Sequence, residues 1–528
     1  MNSMVLAVPA LLPIGGGILL LAAGNFPVKA GGGRAGAYRR LEFLTGGITL
    51  ANSLLIAWLI AAKAGTGEQA VLFRLYGDLK VMFCLDGPGS VFGGLIAFLW
   101  PPAVLYSFEY MRNEERRTAF FAYYLMTYGV TVGIAFAGNL MTLYLFYELL
   151  TLVTFPLVLH PMTREAARAS RKYLYYAIGG AAFAFIGIIF VLSYSASGNT
   201  QFVPGGVLDL TAARGRRNTL LFVYVLAFFG FGVKAALFPC HGWLPEATVA
   251  PTPVTALLHA VAVVKSGAFA VIRLTYFSFG TAFLRGTWAH MAVMCAVMVT
   301  IVFGSTMAVR EIHWKRRLAY STISNLSYIL LGTVMMSPLG LAAALSHMVF
   351  HAFMKICSFF CAGSVMHQSG KTYVYELDGM GRYMPVTFGC LAIASFSLAG
   401  IPPFAGFISK WNIAQAAFGC GADLKAAGSS GGWLAYAAAG VLLYSALMTA
   451  VYMLTVLVRA YFPGADRQRE GDVQISGKEM TPGTCRGIRD PNWMMLAPLV
   501  LFAAAIIGLG LYSGPVMGIL TEIGRRAG

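Results

Sequence analysis

The sequence predicts an all-α polytopic membrane protein of about fourteen transmembrane helices. Three observations lead there. Of 528 residues, 58% are hydrophobic and 11% charged, and no soluble domain of that size could cover its surface with so few polar side chains. Apolar windows of about 20 residues, the length that crosses a hydrocarbon core of about 30 Å, recur along almost the whole chain. The charge that remains gathers between these windows and rarely inside them.

The windows fall near 4–23, 43–62, 88–107, 119–137, 140–160, 174–194, 220–238, 254–273, 288–308, 318–336, 340–364, 386–410, 433–458 and 494–512. A basic loop follows the first without a small-residue cleavage site, so no cleavable signal is expected. Lys and Arg are about twice as frequent on one side of the windows, in the loops around Arg39, Arg116, Arg171, Arg316, Arg382 and Arg469, as on the other. By the positive-inside rule the richer side is cytoplasmic, which puts both termini outside a cell inner (plasma) membrane. The formal charge of +17 is then topogenic: it calls for no nucleic acid, and part of it can hold anionic lipid.

Two longer polar inserts break the apolar pattern. Residues 195–219 end in the basic "ARGRRN", and 463–493 are rich in Gly, Pro and charge, as a flexible cytoplasmic loop would be. A Gly/Ser linker, "GADLKAAGSSGG", is expected over 421–432. Of the eight cysteines, Cys357 and Cys361 lie four apart on one helix face and read as small buried apolar residues. With no CxxC pair, Rossmann glycine fingerprint or Walker loop, the chain shows no cofactor, metal or redox site of its own.

Two windows look discontinuous. The seventh runs into "FPCHGWLPEATVAPTPV", and the twelfth contains "LAGIPPFAGFISK". Proline inside a helix removes a hydrogen bond and frees a carbonyl, which lipid tolerates only where protein or trapped water satisfies the freed groups. A lysine accompanies each break, Lys234 before the first and Lys410 after the second. Paired breaks in two halves of a chain point to a transporter built from repeats.

The chemistry-bearing residues stand inside the windows, where a lysine costs about 2.5–3.5 kcal/mol at a helix centre. Glu148, in "MTLYLFYELLTLVTFPLV", is the acid of its span, and its most economical partner is Lys234. Such a pair holds the lysine protonated; loosening it frees the proton, which makes Lys234 a switchable carrier. In "SHMVFHAFMKICSFF", His347, His351 and Lys355 are spaced i, i+4, i+8 and form one polar stripe, the signature of a hydrated proton path. His259 and Lys265 repeat the idea six residues apart, on different helix faces. His241 and Glu246, at the cytoplasmic end of the seventh window, read as capping and loop-bonding groups or as groups that admit protons.

These segments also carry a resemblance. "LFYELLTLVTF", "GVKAALFPCHGWLPEATVAPTPVTALLHA", "KRRLAYSTISNLSYILLG", "HMVFHAFMKICSFFCAGSVMH" and "GIPPFAGFISKW" resemble the signature segments of the antiporter-like subunits of respiratory complex I, Mrp-type Na+/H+ antiporters and membrane-bound hydrogenases. "FCLDGPGSVFGGLIAFLWPPAVLYSFEYM" is similar to an amino-terminal segment of the larger members, and the likeness runs in order from about 83 to 460. It departs at Tyr147, where many members have Trp, and at Glu246, where many have Asp. The chain ends soon after its last window, so the long lateral helix of the largest complex I member is not expected.

The resemblance implies two inverted five-helix repeats, over 119–273 and 288–460, each with one broken helix. They would follow amino-terminal helices (1–118) and precede the 463–493 loop and a last helix with its tail (494–528). It implies that Glu148 partners Lys234, that Lys265, His259, His347, His351 and Lys355 form a central hydrated axis, and that Lys410 is the exit group. The expected function is a proton-translocating subunit of a redox-driven complex, beside homologous antiporter-like subunits, small membrane subunits and a peripheral arm with iron–sulfur clusters. The alternative is a subunit of an Mrp-type antiporter without a redox partner. A stand-alone solute transporter and a quinone-reactive oxidoreductase subunit stand further off.

Overall fold

In lipid a backbone has no water to bond, so a segment that crosses must close its own hydrogen bonds as helix. The computed structural model, which describes residues 3–24, 34–76, 79–196, 200–209, 211–429, 431–462 and 488–527, is helical accordingly. A 3-10 turn, Ser3–Ala7, leads into α1 (Val8–Gly24), which packs on α4; α2 (Arg34–Lys63) follows. The all-α expectation then meets an exception. β1 (Gln69–Tyr76) and β2 (Leu79–Cys84) pair antiparallel, Gln69 opposite Cys84. "QAVLFRLY" and "LKVMFC" are rich in the β-branched and aromatic residues that favour a pleated surface.

The first half continues with α3 (Gly87–Tyr110), α4 (Arg117–Ala135), α5 (Leu140–Leu159) and α6 (Arg164–Ser193). Side chains cap α3, α5 and α6: Asp86 accepts from Gly89 N, Asn139 from Thr142 N and Thr163 from Ala166 N. Next come α7 (Arg217–Gly232), the single turn α8 (Trp243–Glu246), α9 (Thr252–Ala260) and α10 (Val263–Ile272), which runs on as a π-helical stretch, Arg273–Phe279. The second half holds α11 (Thr281–Leu284), α12 (Trp288–Arg310), α13 (Trp314–Val334), α14 (Pro338–Ser369), α15 (Pro385–Ala399), α16 (Ala405–Ala426) and α17 (Gly432–Tyr461). α18 (Trp493–Leu511) and α19 (Gly514–Ala527) follow.

Among the described residues, 11 helices are long and apolar enough to cross a membrane. The other predicted windows fall on α7, α13 and α15. α7 and α15 are apolar but short, because the chain breaks after each. α13 is long but polar, with Ser321, Thr322, Ser324, Asn325 and Ser327 all buried along it. The linker expected over 421–432 is a shorter turn, since α16 continues to Ala426. Of the loop expected over 463–493, residues 463–487 lie outside the described residues. The tail expected after the last window holds α19, whose Leu520, Gly524 and Ala527 are buried and which packs on α14.

α14 is the hub. It packs against α9, α13, α15, α16, α18 and α19, which turns all of its faces inward and lets it carry polar side chains on several of them. α9 and α10 are likewise buried throughout, and the two halves of the chain meet where α9 lies on α14.

Candidate functional site: a buried line of titratable side chains

α7 stops at Gly232, and Val233–Gly242 cross the interior without helix before Trp243 resumes it. Several groups freed by the break find partners. Trp243 Nε1 donates to Val233 O at 2.9 Å, Phe238 N to Thr300 Oγ1 at 3.1 Å, and Leu237 N back to Gly232 O at 3.0 Å. Ala236 takes φ +57°, a conformation that costs a residue with a Cβ about 1–2 kcal/mol and survives only where its surroundings enforce it. α10 lies close against this segment because residue 267 is glycine: a Cβ there would sit 2.6 Å from Ala235 N and 2.9 Å from the carbonyl carbon of Lys234.

This crossing delivers Lys234, 1% exposed, to α5. Its ammonium lies 3.8 Å from Glu148 Oε1 and 3.4 Å from the centroid of the Tyr147 ring, and it donates to the Tyr147 carbonyl oxygen. Carboxylate, carbonyl and ring face thus surround one cation from a single helix turn. Glu148 is 29% exposed, yet its Oε1 is buried without a hydrogen-bond partner. The structure thus brings Glu148 and Lys234 together, at the long end of ion-pair range.

The second break follows α15. Gly400 ends the helix at φ +88°, Pro402 and Pro403 turn the chain, and α16 restarts at Ala405. Lys410, one turn and a half into α16, reaches back to donate to Leu398 O at 2.5 Å and Ala399 O at 3.1 Å. These are orphan carbonyls of the α15 C-terminus, where the helix dipole also favours a cation. The Tyr328 ring lies 5.5 Å from the same ammonium.

Between the two breaks runs the α14 stripe. His347, His351 and Lys355 are fully buried. The imidazoles of His347 and His351 stack with centroids 5.6 Å apart. His351 Nδ1 lies 3.3 Å from Lys265 Nζ, and His347 Nδ1 lies 2.9 Å from Ser409 Oγ, the residue before Lys410. Lys265, His351, His347 and Ser409 therefore form a line that ends beside Lys410.

Two members of the expected axis stand apart from that line. Lys355 shares the stripe, but its ammonium turns to α13 and donates to Ser321 Oγ at 2.7 Å and Leu318 O at 3.1 Å. His259 packs against Phe359, centroids 4.8 Å apart, and neither ring nitrogen has a partner among the described residues. The same holds for His347 Nε2, His351 Nε2 and Ser266 Oγ. Buried polar atoms grouped in this way are the kind that ordered water satisfies.

His241 and Glu246 lie outside the line. His241 stacks on Phe238 (5.5 Å) and packs at a tilt against Phe303 (4.5 Å). Glu246 pairs with Lys172 at 2.5 Å. Sequence reading also passed over a buried ion pair: Arg273, 0% exposed, binds both Asp86 oxygens at 2.5 and 2.6 Å beneath Phe202, Phe269 and Phe277. Only the apolar setting of Arg273 signalled it. Among the described residues, no group of three or more His, Cys, Asp or Glu side chains is placed to hold a metal.

The profile of one family, "NADH:quinone oxidoreductase/Mrp antiporter, TM", matches residues 137–435, more than half of the chain and the whole of the line above. The chain belongs to that family. Among curated members of the NADH:quinone oxidoreductase/Mrp antiporter family, NADH-quinone oxidoreductase subunit N of Desulforudis audaxviator is 32% identical over 432 residues, 80% of each chain. An Na(+)/H(+) antiporter subunit of Alkalihalophilus pseudofirmus is 34% identical over 368 residues, 66% of this chain and 44% of the relative. The chain thus spans under half the length of that antiporter protein.

The fold recurs in solved structures. A chain of the membrane-bound sulfane sulfur reductase, an archaeal respiratory membrane complex, superposes with a TM-score of 0.80 at 23% identity, over 99% of this chain and 98% of that one. One of the Mrp complex from Dietzia sp. gives 0.77 at 19% identity, covering 99% and 97%.

Proposed function

We propose that the protein is a proton-translocating, antiporter-like membrane subunit of a multi-subunit redox-driven complex. The observation that carries this is the buried line Lys265–His351–His347–Ser409 ending beside Lys410, with the Glu148–Lys234 pair at the other break. Titratable groups at this depth are costly, and a chain with 11% charged residues places them side by side only where they act.

The chemistry follows from the environment of Lys234. While Glu148 is near, a buried ammonium has its counter-charge and keeps its proton. When α5 withdraws Glu148, the same burial favours the neutral amine, and the proton passes to waters around Ser266, His259 and Lys265. From there the two imidazoles relay it toward Lys410. Each step breaks one N–H or O–H bond and forms another, so no oxidant or cofactor of the chain's own takes part.

In this reading residues 119–273 and 288–460 are the two inverted repeats, the basic loops face the cytoplasm, and homologous subunits, small membrane subunits, lipid and an iron–sulfur arm surround the chain. Coverage of 80% of a complex I subunit, against 44% of the Alkalihalophilus pseudofirmus antiporter subunit, supports the redox-driven assignment, while the Mrp-complex chain matched over 97% of its length makes the Mrp-type antiporter the alternative. The test is to purify the complex from native membranes, identify its subunits and measure proton movement in proteoliposomes. Co-purifying iron–sulfur subunits and loss of proton movement in Lys234→Met are expected. Small membrane subunits alone, with sodium-dependent proton release, would establish the antiporter reading instead.

A further inference from the structure

One basic residue outside the line is built into the same interior. Lys315, in the first turn of α13, is part-buried and stands beside Arg316, whose guanidinium reaches the exposed rim and pairs with Glu165 at 3.2 Å. Lys315 points the other way. Its ammonium donates to Ala250 O at 3.0 Å, and no carboxylate among the described residues pairs with it. The hydroxyl of Thr255 donates to that same carbonyl at 3.1 Å. Thr255 is fully buried on α9 and precedes His259 by one turn, on the same helix face. His259 then faces Phe359, one turn beyond Lys355 on α14, and Lys355 bonds Leu318 O, one turn beyond Lys315 on α13. Lys315, Thr255, His259 and Lys355 thus stand on neighbouring turns of α13, α9 and α14. The charges that bear on His259 are those of Lys355, Lys315 and Lys265.

Capping the short segment before α9 would account for Lys315 alone. It does not account for His259, fully buried with two ring nitrogens that no group among the described residues meets. Resting on the proton-translocation reading above, we infer that Lys315, Thr255 and His259 form the uptake limb that feeds the line from its basic-rich side. Water at the rim protonates the Lys315 amine. An Nζ–H bond breaks toward water held at Thr255, and an N–H bond forms on the His259 ring. The imidazolium then gives up that proton to the neutral amine of Lys355 or Lys265. One proton enters, one leaves, and His259 returns to the neutral ring.

The experiment uses the intact complex, purified from native membranes and reconstituted with an internal pH dye. A potassium diffusion potential drives the flux, so that no electron donor need be known. Lys315→Met and His259→Phe are each expected to slow proton flux about tenfold, the double variant no further, and Lys315→His to restore at least half of the wild-type rate. Wild-type flux in Lys315→Met, or slowing in the double variant equal to the product of the singles, overturns the limb. Lys234→Met separates the two readings: if it is inactive while Lys315→Met is normal, only the limb fails, and if it is as fast as wild type, the translocation reading fails. Should Lys315→Met not assemble, Thr255→Val is judged by the same criterion.

Discussion

The two helix breaks carry the same parts list, a short apolar helix, prolines and a lysine, and neutralise the lysine by different means. At the first, Lys234 depends on α5, another helix, for its carboxylate, its carbonyl and its ring face. At the second, Lys410 is held by the carbonyl ends of α15, the helix it follows in sequence. A small displacement of α5 would separate Glu148 from Lys234, because the pair starts at 3.8 Å. No such displacement separates Lys410 from α15, since only the five residues Gly400–Phe404 join α15 to the helix that carries it. On the proposed proton-translocation reading, the first break serves as a switch and the second as a fixed station.

Substitutions at the two lysines should break this contrast most visibly. Lys234→Met is expected to abolish proton flux, and Lys234→Arg likewise, because a guanidinium holds the charge without releasing the proton. Lys410→Arg should keep substantial flux, since a cation that caps α15 is retained. Equal losses in the two Arg variants, measured in the reconstituted complex, would erase the distinction.

The Asp86–Arg273 pair offers the next largest effect, on stability. Asp86→Asn leaves a fully buried guanidinium without its counter-charge, whereas Arg273→Met leaves a carboxylate that is 32% exposed. Asp86→Asn should therefore cost about 3 kcal/mol and Arg273→Met distinctly less, read from thermal unfolding in detergent.

Gly267 sharpens the comparison at the first break. Gly267→Val pushes α10 off the Lys234 segment and should cost about 1–3 kcal/mol, with a parallel loss of flux. Gly400→Ala, strained at φ +88° with its Cβ 3.0 Å from Lys410 Cδ, should cost about 1–2 kcal/mol and leave more of the flux. The smallest change is Tyr147→Phe. It keeps the ring face and loses the hydroxyl's bond to Phe231 O at 3.1 Å, for about 1 kcal/mol in unfolding and little in flux.

Much of this site was legible because membrane burial makes polar residues conspicuous. Glu148, Lys234, Lys265, Lys355 and Lys410 announced themselves as charges in apolar windows, and the prolines announced the breaks. The i, i+4 spacing of His347 and His351 put both on one stripe, since helix periodicity alone sets that, and the structure then stacks their rings. The β1–β2 hairpin and α19 were missed, being too short or too amphipathic for an apolar window to detect.

Partner choice was a different matter. His259 and Lys265, six apart, were expected to face different ways, and Lys265 indeed meets His351 of α14 rather than His259. Lys355 keeps its place on the stripe and sends its ammonium to Ser321. Asp86, at the cap of α3, and Arg273, in the π-helical stretch after α10, become a buried pair only when those elements meet. The sequence by itself determined that the chain spans the membrane, where its helices break and which titratable residues stand in its apolar windows, because burial cost and helix period are local properties. Tertiary structure alone decided which group faces which, because those contacts depend on how helices far apart in the chain settle against each other.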